Sequence, residues 1–234
     1  MPNEQPAAVG RSAADRGFTF RVPVHFHDLG MHLTDQERWE HLDELACEIW
    51  SGGTTDQRQG VRTLYADIAD AAAEDGALYA GVALFATEDD RISTASLIVR
   101  ADPIDDGDPE MIVATLQETL SLNPSSDVRR VEAEAGSAVL AFTGVEWQPQ
   151  APEDAAGDPP PLTMARVEAY LPLPDLGTLV VLALTTSSLP ELPDYVALLA
   201  QTTESVRRLD ETGPAGLPAQ SNTEAAERVE AAFG

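Results

Sequence analysis

The sequence predicts an α+β fold: an antiparallel sheet covered by helices, in one domain. Three observations carry this expectation. Short apolar segments that alternate or run unbroken recur from Phe18 to Thr185, as strands do. Helix-start signals stand at Thr34, Thr54 and Asp108. Runs of strands are joined by short turns, as in hairpins, so the sheet is antiparallel with helices laid over it.

Phe18, Phe20, Val22 and Val24 alternate with Thr19, Arg21 and Pro23. This reads as a half-buried strand, with Pro23 placing it at a sheet edge. Thr34-Asp-Gln-Glu37 is a capping box, and Trp39, Leu42, Ala46, Ile49 and Trp50 follow at helical spacing. Gly52-Gly53 is the expected left-handed stop. A second box, Thr54-Thr-Asp-Gln57, opens a helix with Val61, Leu64, Tyr65, Ile68, Ala69 and Ala72 on one stripe. Leu78 to Ala86 is apolar throughout, as a strand covered on both faces is. Glu88-Asp-Asp90 turns the chain into a strand from Thr94 to Arg100.

Asp108-Pro109 is an N-cap with proline at the first helical position, and Ile112, Val113, Leu116 and Leu120 supply the buried face. Val128–Glu134 and Ser137–Trp147 form a hairpin around Ala135-Gly136. A Pro-rich acidic loop spans 148–161. Val167–Leu173 pairs with Leu179–Thr185 across Pro174-Asp-Leu-Gly177. Asp194 to Leu209 closes the domain as a helix with Val196, Leu199, Thr203 and Val206 inward. Residues 1–16 read as a disordered N-terminal segment and 17–209 as the single domain. Residues 210–234 read as a flexible tail, in which Ala226, Val229 and Phe233 mark a short helix candidate.

Charge narrows the function classes. Forty acidic residues against 14 basic ones give −26, which excludes a dominant basic face for nucleic acid and disfavours anionic membrane surfaces. Every basic residue is Arg; a GC-rich, actinobacterium-like coding bias and a halophilic source both account for that. The single Cys47 excludes an intrachain disulfide framework or a multi-cysteine zinc site. The N-terminus has no apolar core of a secretory signal, and Leu179–Leu184 is too short to span a bilayer. A cytoplasmic protein without membrane insertion is the expectation.

Few residues suggest chemistry. All four histidines lie between positions 25 and 41. His25 and His27, two apart on an expected strand, share a face and with His32 could ligate zinc or nickel; the competing reading is that they simply face solvent. His41 lacks the partner histidine of a zinc helix motif. Asp102-Pro-Ile-Asp-Asp-Gly-Asp-Pro-Glu110 resembles a calcium loop but puts Ile104 and Val113 at ligand positions. Its carboxylates are better explained by capping and the helix dipole. Cys47 reads as a buried or half-buried structural thiol. Trp39, Trp50 and Trp147 read as core or rim anchors; an exposed Trp147 beside the Pro-rich loop would become an interaction anchor.

The segment VEAYLPLPDLGTLVVLALTTSSLPELPDYVALLAQTTESVRRL, residues 167–209, is a hairpin, a Thr-Thr exit and a closing helix. It resembles the last third of PsbP-like and Mog-type α+β domains. FTFRVPVHFHDLG, residues 18–30, is similar to the opening strand of uncharacterised actinobacterial proteins with the same ending. The resemblance spans about 190 residues in order of elements, carried by hydrophobic patterns. It implies a PsbP-like domain with a two-helix insertion after the first strand, and no activity comes with it.

The function expected is therefore a non-catalytic cytoplasmic binding or adaptor protein, in one form an acidic chaperone or assembly factor for a secretion or other multiprotein system. Its partner would be another protein, selected as basic by charge complementarity. Trp147, Val229 and Phe233 are the expected protein-binding residues, and no cofactor is expected. The alternative is a metal-dependent enzyme using His25, His27 and His32. A third reading is a structural subunit tethered through residues 210–234.

Overall fold

The computed structural model describes residues 11–87, 89, 91–148 and 160–209. It begins with one helical turn, α1 (Arg11–Ala14), whose Ala13 is fully buried in the main core. The expected disordered segment therefore loses its last residues to the domain, because a small apolar side chain fits beneath Phe18. The strand expected over Phe18–Val24 is cut short. Only β1 (Phe18–Thr19) is paired; Phe20 and Val22 stay buried in alternation, while Val24 turns out to solvent at 76% exposure. The chain joins the main sheet one turn later, as β2 (Phe26–Asp28).

Both capping boxes form. Thr34 accepts a hydrogen bond from the Glu37 amide at the start of α2 (Asp35–Ile49), and Thr54 accepts one from Gln57 at the start of α3 (Thr55–Glu74). Gly52 and Gly53 separate the helices without entering the left-handed region; among the described residues the glycines that do are 17, 30, 76, 136 and 177. The strands β3 (Ala77–Ala86) and β4 (Ile92–Pro103) follow as a hairpin, closed by the Thr87 amide on the Arg91 carbonyl. Glu88 and Asp90 of that turn lie outside the described residues.

Asp108 caps α4 (Pro109–Ser121) by accepting from the Glu110 amide. A meander comes next: β5 (Ser126–Ala133), β6 (Gly136–Trp147), β7 (Leu162–Leu173) and β8 (Thr178–Thr186). The β5–β6 turn is Glu134-Ala135, one residue earlier than expected, since Ala133 pairs directly with Gly136. Gly177, at φ 59°, closes a 3₁₀ turn over Pro174–Leu176. The closing helix α5 (Leu192–Glu204) is shorter than its expected range. Residues past it leave the helix because Arg207-Arg208 forms β9, which pairs with β1 and ties the two ends of the domain together.

Seven strands form one sheet in the order β2-β3-β4-β8-β7-β6-β5, every described pair antiparallel. The link through α4 carries the chain from β4 to the far edge, and the meander walks back until β8 pairs with β4. One face carries the larger core. Leu97, Val99, Leu140, Val167, Leu171, Leu182 and Leu184 pack there beneath Phe18, Phe20 and the α5 residues Tyr195 and Leu199. Each such side chain contributes about 1.5–3 kcal/mol on burial. The opposite face carries a second core in which Leu42, Leu45, Tyr65, Ala69 and Ala72 of the α2–α3 hairpin cover Ala80 and Val82. No helix among the described residues is long and apolar enough to cross a membrane.

Helix α4 shares that second face. It packs on β5, β6 and β7, and its Glu110 pairs at 2.8 Å with Arg130, whose neighbour Val131 points the other way into the larger core. The helical hairpin thus covers one end of the face, α4 covers the other, and β4, β8 and β7 lie between them.

Candidate functional site

The register defines this middle strip residue by residue. Directly opposed residues share a face, so Ser96, Thr185 and Arg166 form one row, Ile98, Ala183 and Glu168 the next, and Arg100, Val181 and Tyr170 a third. Except for buried Val181, these side chains are half-buried. Their charges are matched within the strip: Arg166 pairs with Glu168 at 2.7 Å and Arg100 with Asp102 at 3.1 Å. Burial pushes the Tyr170 hydroxyl up to about 12, reinforced by the Glu168 carboxylate; Arg166 and Arg100 pull the other way. Balanced in this way, the strip offers no net charge to an ionic ligand.

At the hairpin end the strip opens into a cavity of about 230 Å³ between α3 and the sheet. Val61, Leu64, Tyr65, Ile68 and Trp50 form its helical wall, and Val82, Leu84, Ser96, Met164 and Thr185 line it from the sheet side. Small-molecule sites commonly hold roughly 300–1,000 Å³; this one is sized for one or two apolar side chains. Leu64 at its rim is 53% exposed. The apolar surface continues past Met164, which pairs with Val145, to the next same-face pair, Trp147 and Leu162. Trp147 is 47% and Leu162 39% exposed. A hollow between α2 and α3 is lined with charge, Arg38 bridging Asp35 and Asp70, and another is bordered by His27 and Glu48 beside Ile49, Leu84, Phe85 and Ile92.

The histidines do not converge. The chain at His25 is a turn rather than a strand, so the alternation that would put it beside His27 fails. The His25 ring lies 5.4 Å from that of Phe85, which packs against the larger core. His27 sits opposite Val82 of the second core. His32 approaches Asp28 at 3.8 Å, and His41 is held by the Asp28 carbonyl at 2.7 Å through Nε2. Among the described residues no group of three or more His, Cys, Asp or Glu side chains could hold a metal ion. In the acidic run, Asp102 belongs to β4 and Asp108 to the α4 cap.

Cys47 is exposed, contrary to the buried or half-buried thiol expected. Leu42, Leu45 and Ala46 take the inner face of α2, and Cys47 stands about 100° further round the helix. Trp39 is also outside, 46% exposed, with the Arg62 guanidinium 4.4 Å over its ring. Trp147 is the expected binding residue that the structure places on an exposed apolar surface. Val229 and Phe233 lie outside the described residues. The cavity residues Leu64 and Met164 were missed as a site, since helical spacing assigns Leu64 to the core. Alternation of Leu162 and Met164 with Thr163 and Ala165 was the signal that the strand begins early and carries an apolar face.

Comparison with family models, with curated proteins and with solved structures gives no match to this chain.

Proposed function

We propose that this is a non-catalytic binding or adaptor domain that docks a protein partner on the sheet face between α3 and the β6–β7 hairpin. One observation carries the reading: Met164, which lines the apolar cavity behind exposed Leu64, is followed two residues away on the same face of the sheet by the exposed Trp147–Leu162 pair. Exposed apolar surface of this kind marks an interaction site. Aromatic anchors beside a pocket are the usual source of interface energy. The neighbouring charges balance one another, as in the Arg166–Glu168 pair, which suits holding a partner rather than making or breaking bonds.

In its finer form the reading takes the domain as PsbP-like, with the α2–α3 pair as an insertion. The hairpin through Pro174–Gly177 followed by a closing helix supports it. A cytoplasmic chaperone or assembly factor remains the concrete role, resting on the acidic composition. The test is site-directed photo-crosslinking in the source cells, with the reactive side chain at position 64 and, as control, at Arg129 on the edge strand β5. A discrete adduct from position 64, absent from the control, supports docking there. Adducts of equal yield from both positions, or none from position 64, overturn it.

A further inference from the structure

We propose that the cavity behind Leu64 is a binding site for a small uncharged ring compound of the phenol class, one carrying a single hydroxyl or carbonyl oxygen. The proposal goes beyond the docking reading and does not rest on it. It concerns what enters the cavity, and the crosslink at position 64 tests docking separately.

Size, charge and polar groups each set one part of that chemistry. An apolar cavity of about 150 Å³ holds one benzene ring; this one, at about 230 Å³, has room for a ring with a short substituent. The described residues that line it include no Asp, Glu, Arg or His. An ionised ligand would therefore leave water for walls that offer its charge no partner, which is costly. Trp50 and Met164 stand on the lining with Val61, Leu64 and Ile68, and indole and thioether favour an aromatic ring over a plain alkyl chain.

The floor supplies the polar contact. Ser96 and Thr185 are directly opposed on β4 and β8, so their side chains share a face with Cβ atoms about 4.5–5.5 Å apart. Both are half-buried and both line the cavity. The nearby Thr186 hydroxyl is engaged, donating to the Thr94 carbonyl and accepting from the Ser188 amide. The Ser96 and Thr185 hydroxyls, by contrast, have no hydrogen-bond partner among the described residues. A hydroxyl both donates and accepts, so one ligand oxygen seated between the two completes a hydrogen bond with each. A pure hydrocarbon in the same place strands both.

The experiment titrates the full chain by calorimetry at neutral pH with three monocyclic probes: p-cresol, toluene and benzoate. The four methionines of the chain, labelled at the methyl carbon and assigned through Met164→Leu, report where the ring sits by nuclear magnetic resonance. p-Cresol is uncharged there, since phenols ionise near pH 10. It should bind with a Kd of about 1 mM or below and shift the Met164 methyl resonance most. It should also bind about fivefold or more tightly than toluene, and about tenfold or more tightly than benzoate. Thr185→Val keeps the branched shape of the side chain and removes its oxygen, so it should weaken p-cresol about fivefold and leave toluene no weaker. Absence of p-cresol binding, or binding that leaves the Met164 methyl unmoved, overturns the site. Toluene or benzoate bound as tightly as p-cresol, or p-cresol binding that Thr185→Val does not weaken, overturns the ligand class and with it the proposal.

Discussion

Tyr195 on α5 and Ser93 on β4 are both 0% exposed, and their hydroxyl oxygens lie 2.8 Å apart. This is the polar contact within the apolar joint between the closing helix and the sheet. Tyr195→Phe keeps the ring against Phe85, 5.7 Å away between centroids, and removes one oxygen. The Ser93 hydroxyl then loses its partner with no water to replace it, which costs about 1–3 kcal/mol. Ser93→Ala does the same to the tyrosine hydroxyl. In the double variant neither group is stranded, so its loss should fall below the sum of the single losses by about 1 kcal/mol or more. For a chain of this size each kcal/mol moves the melting midpoint by about 2–4 °C. Urea unfolding of the four proteins, followed by circular dichroism with the slope checked for constancy, measures the cycle. Additivity within about 0.3–0.5 kcal/mol would mean the hydroxyls do not depend on each other and would refute the reasoning.

The four tyrosines, Tyr65, Tyr79, Tyr170 and Tyr195, all have hydroxyls pushed up by burial. Absorbance at the phenolate band should therefore stay low in the folded protein as pH passes 10 and rise there once urea unfolds it; a native titration at 10 would contradict the burial. Arg208 grips Asp175 through two hydrogen bonds of 2.7 and 2.9 Å and holds its carboxyl below the ordinary 3.8. The stabilisation from this pair is present above pH 3.8 and is lost as pH falls through the depressed value. Asp175→Asn should accordingly melt lower than the parent at pH 7, with the gap closing in strong acid; a constant gap would argue against the ion pair. Gly81 lies beneath the Tyr79 ring, so closely that an added Cβ would overlap it. Gly81→Ala should expel that ring from its edge contact with Phe20 and cost about 1–3 kcal/mol, whereas Gly177→Ala meets no atom closer than 3.6 Å and should cost only the roughly 1–2 kcal/mol of its left-handed backbone. Both are read by urea midpoints.

Much of the fold was legible because its signals are local. The Thr34 and Thr54 boxes and the Asp108 cap are completed within three residues, and all three form. The unbroken run Leu78–Ala86 announced a strand buried on both faces, and β3 is buried on both faces from Leu78 to Ala83. Where a prediction failed, a distant contact decided. Residues after Glu204 leave the helix because they pair with β1, nearly 190 residues earlier in the chain. His25 leaves its expected strand in a turn and rests on Phe85 of another. Val24, read as a buried member of an alternation, lies outside because that alternation ends at the turn.

The candidate site was legible only in part. Trp147 stood out as an aromatic beside a Pro-rich acidic loop, but Leu64 looked like any core-facing residue of an amphipathic helix. Its exposure arises because α3 packs on β3 with Tyr65, Ala69 and Ala72, leaving Leu64 over the gap beside β4 and β8. Composition, caps and periodicity determined the helices, the strands, their antiparallel hairpins and the strongly acidic surface, since each depends on neighbours in sequence. Tertiary structure alone decided that the α2–α3 hairpin and α4 share one face and stop short of each other. That gap is set by which strands the helices rest on, and strand order in a sheet depends on contacts between residues far apart in the chain.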